Sequence, residues 1–103
     1  MAILYITEHA SQVRDLAGYL VQGTPAYPST AEQVVAIGAG SLASNTFNAS
    51  TTIIELVSDV VCSVAVAVSP TATITNRRIP ANTPVQIGVP ANSGLKIAVI
   101  SNT

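Results

Sequence analysis

The sequence predicts an all-β domain, a β-sandwich of jelly-roll-like form. β-Branched residues, which suit a pleated and half-buried surface, are dense along the chain. Several segments alternate apolar with small or polar residues, the period of two that a sheet with one packed face requires. Turn residues rich in Gly, Pro and Asn recur about every ten residues, a spacing typical of sandwiches and barrels. The 103 residues fit one domain, which we expect to span 1–103.

The N-terminal third leaves two alternatives open. Residues 3–7 favour a strand. Residues 11–22 fit one short helix, because apolar residues recur there at helical spacing after a serine that can cap it, but a strand around 19–21 fits equally well. Residues 23–30 are rich in Pro, Gly, Ser and Thr and predict a loop. We expect residues 1–30 to supply an intersubunit arm and a loop.

The rest of the chain predicts a series of short strands. Residues 34–37 favour a short strand, and 40–50 are polar and predict a long connection. Residues 51–57 form a more continuous, largely apolar run than the alternating segments, which favours an inner strand. Alternation with a period of two predicts further strands over 62–68, 71–75, 85–89 and 95–99. In 71–75, three threonines would form one hydroxyl face.

Two Pro-Ala-Asn corners lie ten residues apart, at 79–83 and 89–93. Proline presets φ, and asparagine tolerates the left-handed region of backbone space. Each corner follows an apolar residue and precedes another strand. The repeat therefore predicts a meander of three strands with equivalent corners.

The charge content is unusually low. Nine of the 103 residues are charged, against about 25% in a typical soluble domain. A surface with so few charges tends to associate with other protein copies. Residues 1–59 hold five acids and one base, whereas 60–103 hold three bases and no acid. This split either helps one copy's basic end to meet another's acidic end or is a chance distribution.

The composition and the lack of known motifs argue against an enzymatic or ligand-binding function. A net charge of −1 argues against a nucleic-acid partner. P-loop, GxGxxG, HExxH and GxSxG patterns are missing from the sequence. His9 and Cys62 are the single histidine and the single cysteine, and Cys62 is in phase with three valines, as a small core residue would be. We therefore expect no enzyme, no catalytic residue, no metal or cofactor site and no small-molecule substrate.

The sequence also bears on where the chain folds. The first eight residues lack the basic region of a signal peptide. Apolar runs stay well short of the roughly 20 residues of a membrane-spanning helix, so no membrane partner is expected. With one cysteine, disulfides cannot staple a domain of this size, and we expect synthesis in a reducing cytoplasm.

Candidate partner-contact residues cluster near the N-terminus. Three of the four aromatic residues are Tyr5, Tyr19 and Tyr27. Tyrosine is favoured at interfaces because it combines a large apolar ring with a polar tip. The apolar neighbours of Tyr5 join the same candidate set: Ile3, Leu4 and Ile6. Ordinary packing within the sandwich is the alternative.

Two further features have alternative interpretations. Phe47 lies in the Asn-rich connection, where it either anchors the loop in the core or touches a neighbouring copy. Arg77 and Arg78 form the one basic pair and precede the first corner. They either contact a partner or form a charged edge that blocks unwanted strand pairing.

A resemblance covers about half of the chain. The sequences at 44–49, 62–65, 69–73, 78–82, 88–90 and 96–100 resemble small virion proteins of tailed bacteriophages. The resemblance implies a capsid decoration or cement protein: a homo-oligomeric β-sandwich in the phage head that bridges subunits of the major capsid protein. The N-terminal third contributes little to this likeness.

The decoration role has two rivals. A head–tail connector or a tail structural component belongs to the same class of virion proteins. A carbohydrate-binding sandwich would normally present Trp or Tyr platforms, and this chain has no Trp. For the decoration role, copies would hold each other through strand addition at an open edge or through an exchanged terminal arm.

Overall fold

The computed structural model describes residues 2–102, in which ten β-strands occur and no helix. The strands are β1 (Ala2–His9), β2 (Gln12–Arg14), β3 (Leu20–Pro25), β4 (Ala31–Ile37), β5 (Leu42–Ala43), β6 (Ile53–Ser58), β7 (Cys62–Ala67), β8 (Arg77–Ile79), β9 (Val85–Gly88) and β10 (Lys96–Ser101). Over the same residues, no helix has the length and apolar character needed to cross a bilayer.

Eight of the strands form two four-stranded antiparallel sheets. The front sheet has the order β4-β1-β6-β9, and the back sheet has the order β5-β10-β7-β8. The remaining two strands, β2 and β3, pair with each other as a separate hairpin between β1 and β4. The apolar run at 51–57 corresponds to β6, and its prediction as an inner strand is confirmed.

One hydrophobic cluster fills the space between the two sheets. The front sheet contributes Leu4, Ile6, Val35, Ile37, Ile54 and Leu56, and the back sheet contributes Cys62, Val64, Ile79, Ile97 and Val99. These residues recur at every second position of their strands, so each sheet turns one apolar face inward. The predicted all-β sandwich is confirmed.

The two Pro-Ala-Asn corners adopt the predicted backbone. Asn82 and Asn92 have φ of 56° and 55°, in the left-handed region that asparagine tolerates. The predicted meander is wrong, however, because β8 and β10 lie in the back sheet while β9 lies in the front sheet. Each corner carries the chain across the sandwich. A period of two tells which face of a strand is buried but not which sheet the strand joins.

The helix alternative for 11–22 is wrong, and the strand alternative around 19–21 is correct. The Oδ1 of Asp15 accepts hydrogen bonds from the amides of Ala17 and Tyr19. Gly18 adopts φ of 87°, which a helix does not accommodate. These contacts make a turn between β2 and β3, and β3 continues to Pro25, into the segment predicted as a loop.

The strand predicted over 71–75 is also wrong. The amide of Thr73 donates to Asn76 Oδ1 at 2.7 Å, and the amide of Asn76 donates back to the Thr73 carbonyl at 3.0 Å. The Thr73 and Thr75 hydroxyls bond to each other at 2.9 Å. Short polar side chains thus satisfy the backbone locally and compete with a sheet ladder. The segment holds Ala72 in a buried position, tied by its amide to the Ser41 hydroxyl.

Candidate interaction surfaces and their polar support

The β2–β3 hairpin, hereafter the arm (residues 12–25), presents apolar side chains to solvent. Leu16 is fully exposed, Tyr19 is 72% exposed and Leu20 is 50% exposed. Val13 and Val21 are more than one third exposed. Scattered apolar residues are normal on a protein surface, whereas here five of them are concentrated on one short element.

The arm extends beyond the sandwich. The molecule measures 47 × 26 × 21 Å, whereas an eight-residue strand such as β1 spans only about 26 Å. The excess along the long axis fits a hairpin that projects from the end of β1. An isolated two-stranded hairpin is at best marginally stable in water, so the arm depends on the contacts within its tip and at its root to stay ordered.

Local hydrogen bonds fold the tip of the arm. The Asp15 amide donates to the Tyr19 carbonyl at 2.8 Å, and the Gly18 amide donates to the Asp15 carbonyl at 3.0 Å. The Arg14 Nη1 donates to the Gly18 carbonyl at 2.7 Å. The two charged residues of the arm are therefore used to close its turn, and the apolar side chains remain free for contact.

The root of the arm is built on His9, the last residue of β1. The His9 side chain is fully buried, and its Nδ1 lies 3.1 Å from the Ala26 carbonyl. The Tyr27 ring packs edge-on against the imidazole at a centroid distance of 4.9 Å. The Ala26 amide donates to the Ser11 carbonyl at 2.8 Å. These contacts join both ends of the arm to β1.

A buried carboxylate lies next to this root, on the inner face of the front sheet. Glu8 Oε1 accepts hydrogen bonds from the Asn48 amide and the Thr51 hydroxyl, both at 2.8 Å. Glu8 Oε2 accepts one from Gln33 Nε2 at 3.0 Å. The Thr51 hydroxyl also pairs with the Thr30 hydroxyl at 2.8 Å. We call these five residues the Glu8 cluster; such a network is stabilising only when it is fully hydrogen-bonded.

The Glu8 cluster connects β1 with three later segments of the chain. Thr30 ends the return from the arm, Gln33 lies on β4, and Asn48 and Thr51 belong to the connection before β6. The Thr30 amide also donates to the Glu8 carbonyl at 2.8 Å. The arrangement fixes the arm's exit and return relative to the sandwich.

A second exposed surface is the outer face of the front sheet. Tyr5 and Val34 stand directly opposite each other there and are 46% and 60% exposed. In the next row, Thr7 lies opposite Glu32 on one side and Glu55 on the other. A shallow groove of about 430 Å³ runs beside Tyr5, Thr7, Glu32 and Val34.

The structure separates the N-terminal contact candidates. Leu4 and Ile6 are 0% and 1% exposed and pack between the two sheets, so their side chains have no surface to offer a partner. Ile3 is half-buried, and Tyr5 is exposed on the outer face. Since β1 lies between β4 and β6, residues 2–9 form a central strand of the front sheet, and Met1 lies outside the described residues. The prediction that residues 1–30 supply an intersubunit arm stays a prediction, and the exposed hairpin within it is residues 12–25.

The remaining contact candidates lie apart from one another. Tyr19 is on the arm, and Tyr27, 70% exposed, is at its root. Phe47 is buried in the core cluster, which matches its interpretation as a loop anchor. Arg77 and Arg78 are exposed on β8, an edge strand of the back sheet. That position suits both partner contact and edge protection, so the two alternatives remain open.

His9 and Cys62 do not form a catalytic pair. Cys62 lies in the back sheet and points into the core, whereas His9 lies in the front sheet, out of phase with the inward-facing Leu4 and Ile6. Burial raises the pKa of the Cys62 thiol, partly offset by a hydrogen bond with Ser58. A thiol with a raised pKa stays protonated at neutral pH and is a poor nucleophile. Residues 2–102 also hold no group of three His, Cys, Asp or Glu side chains that would bind a metal ion.

Sequence reasoning missed the Glu8 cluster and the apolar tip of the arm. Glu8 was one isolated acid among five, and its side-chain partners come from positions 25 to 43 residues away along the chain. One signal was available, since Glu8 continues the inward phase of Leu4 and Ile6. Leu16 and Leu20 belong to the segment 11–22, whose apolar spacing fitted a helix as well as a strand, and that spacing gave no sign that both side chains would be exposed.

No protein-family model matches the chain, and neither a curated protein nor a solved structure matches it. The surfaces of residues 2–102 and the resemblance in the sequence are therefore what bears on function.

Proposed function

We propose that the chain is a capsid decoration, or cement, protein of a tailed bacteriophage. It would be made in the host cytoplasm, self-associate on the phage head and bridge adjacent subunits of the major capsid protein. The observation that carries the proposal is the arm, a short hairpin that projects from a packed sandwich and presents its apolar side chains to solvent. The sequence resemblance to small virion proteins supports it independently.

The free energy that one arm contact would contribute favours a lattice over a free dimer. Full burial of a large apolar side chain contributes about 1.5 to 3 kcal/mol. Scaled by their exposure, Leu16, Tyr19 and Leu20 would together contribute about 4 kcal/mol. Association of two free proteins costs about 4 to 15 kcal/mol in lost motion. One arm contact is therefore weak by itself and should give self-association in solution only at high protein concentration, whereas repetition over a closed shell supplies the avidity that a decoration protein needs.

The strand arrangement fits a rigid bridging module. Eight strands form the two sheets, and the chain crosses between the sheets at five connections: β4 to β5, β5 to β6, β6 to β7, β8 to β9 and β9 to β10. Repeated crossing of this kind is typical of jelly rolls, which occur in viral capsid proteins. We propose that this sandwich is one, with the arm inserted between β1 and β4.

Self-association is tested by sedimentation velocity over a range of protein concentrations. The test variant is Leu16→Ser with Leu20→Ser, which removes about 3 kcal/mol of burial, or roughly a hundredfold in the association constant. The matched control is Val68→Ser with Ile74→Ser, two side chains that are 61% and 63% exposed outside the arm. The arm variant should be monomeric while the control associates as wild type. A wild-type chain that stays monomeric at high concentration would contradict the proposal.

Cement function is tested on phage heads assembled without the chain. Purified protein is added to full occupancy, and the heads are heated while DNA release is followed. Wild type should raise the rupture temperature, and the arm variant should not. An unchanged rupture temperature at full occupancy refutes the cement role. Electron microscopy of the same heads distinguishes the rival, because a connector or tail component would bind at one vertex instead of over the shell.

A further inference from the structure

We propose that the outer face of the front sheet is a docking surface for the basic β8 edge of a second copy. This inference rests on the self-association proposed above and specifies a contact other than the arm. It joins unlike surfaces, so it is a head-to-tail contact that propagates from copy to copy and closes a ring or covers a shell.

The charges of the two sheets are fully segregated. The four front-sheet strands contain three glutamates and no Lys or Arg. The four back-sheet strands contain Arg77, Arg78 and Lys96 and no Asp or Glu. The division seen along the sequence thus becomes a division between the two sides of one particle.

The docking face combines an apolar row with an acidic row. Tyr5 and Val34 form the exposed apolar row. Glu32 and Glu55 flank Thr7 in the next row, about 10 Å apart, since each is one strand spacing from β1. Their carboxylates accept hydrogen bonds from the neutral side chains of Ser29 and Gln86, at 3.2 and 3.4 Å. Those contacts leave the negative charge of the row uncompensated.

The basic edge is suited to this face. Arg77 and Arg78 are both exposed and adjacent on a three-residue strand that pairs with β7 on one side only. A guanidinium binds carboxylates in a planar two-bonded geometry, and its stem packs on aromatic rings. Their side chains leave the strand on opposite faces of the sheet, so together they line the edge itself. An edge that approaches the docking face end-on therefore offers cations for Glu32 and Glu55 and apolar surface for Tyr5.

The occupant is a second copy because the two surfaces cannot meet within one molecule. Stacked sheets lie about 10 Å apart, and the docking face points away from the back sheet. Charge complementarity therefore operates only between molecules, where it also steers association and sets its orientation. If the acidic row had no partner, reversing its charges would not weaken self-association, and this makes the proposal testable.

The test is a charge exchange followed by sedimentation velocity at low salt. Glu32→Lys with Glu55→Lys should weaken self-association by about tenfold or more, and Arg77→Glu with Arg78→Glu should do the same. The variant with all four substitutions should recover wild-type association, because each attraction is restored with reversed sign. Wild-type association should also weaken as salt is raised. Glu32, Arg77 and Arg78 are exposed and Glu55 is half-buried, and far-ultraviolet circular dichroism checks that the fold is kept.

The outcomes separate this inference from the proposed function. If the arm variant is monomeric but both charge-reversed pairs associate as wild type, the docking face is refuted and the arginines only protect the sheet edge. If both pairs weaken association and the fourfold variant does not recover it, complementarity between these surfaces is likewise refuted. A wild-type chain that is monomeric under every condition overturns both proposals.

Discussion

Glu8→Gln is the substitution that tests most directly how the arm is held. The Glu8 carboxylate is 1% exposed and accepts three hydrogen bonds. Glutamine keeps the shape of the side chain but replaces one acceptor oxygen with a donor amide. Gln33 cannot turn to compensate, because its Oε1 already accepts from the Asn45 amide at 3.0 Å. The new amide would therefore face another donor.

The expected loss follows from the hydrogen bonds. In the better orientation, the introduced glutamine still accepts from Asn48 and Thr51, while its amide opposes the Gln33 amide. Leaving a buried donor unpaired costs about 1 to 3 kcal/mol, and a bond to a neutral acceptor is weaker by about 1 kcal/mol than a bond to a charged one. Removing the buried charge recovers part of this loss in stability, because the folded protein no longer has to desolvate it. We expect a net loss of about 2 to 3 kcal/mol in the free energy of unfolding.

The assay is urea unfolding at one fixed protein concentration, because association also contributes to apparent stability. The matched control is Asp59→Asn, which changes an exposed acid outside both proposed contact surfaces with one side-chain hydrogen bond, from the Ile3 amide, and should stay within about 0.5 kcal/mol of wild type. A Glu8→Gln variant as stable as the control would refute the reasoning. Hydrogen exchange adds a local measure, since the Asn48 amide should exchange faster in Glu8→Gln alone.

Two further predictions concern the core and the corners. Burial raises the pKa of Cys62, so the thiol should react with a disulfide reagent only after unfolding. The pKa of the thiol is higher in the folded than in the unfolded protein. The free energy of unfolding of wild type, relative to that of Cys62→Ala, should therefore be constant below about pH 8.5 and fall as the pH rises further. If this difference stayed unchanged up to about pH 10, the raised pKa would be contradicted. At the corners, Asn82→Ala and Asn92→Ala should each lower the free energy of unfolding by about 1 kcal/mol, because alanine is strained at positive φ. The glycine variants should unfold in urea close to wild type. Equal losses for alanine and glycine would show that the asparagine side chain, not the backbone φ, is what stabilises the corner.

The fold class could be predicted from the sequence because its signals are local. Alternation along β7, β9 and β10 indicates strands with one packed face, and the asparagines of the two corners show where the chain turns. The partner of each strand depends on contacts far apart along the chain, such as β1 with β6 or β4. For that reason the predicted three-strand meander was wrong, although both corners and the strands predicted over 85–89 and 95–99 were found.

The candidate site was less predictable because it depends on what stays exposed. Tyr5 and Leu4 belong to the same short apolar segment, yet one is exposed and the other is fully buried. Leu16 and Leu20 have the spacing of a helix face, and only the Asp15 side chain and Gly18 turn them outward. The Glu8 cluster assembles from four segments, which no local pattern encodes.

In the proposed assembly, the position of β1 decides between exchange of the N-terminal strand and docking of the arm on a neighbouring copy. Exchange of the N-terminal strand between copies would withdraw Leu4 and Ile6 from the core and break ladders with both β4 and β6. Docking of the arm breaks nothing, since its tip is already exposed and its root is already fixed by His9 and the Glu8 cluster. A surface ordered before binding loses less entropy on association. In the proposed assembly, docking of preformed surfaces is therefore favoured over strand exchange, because it would leave the sandwich of each copy intact.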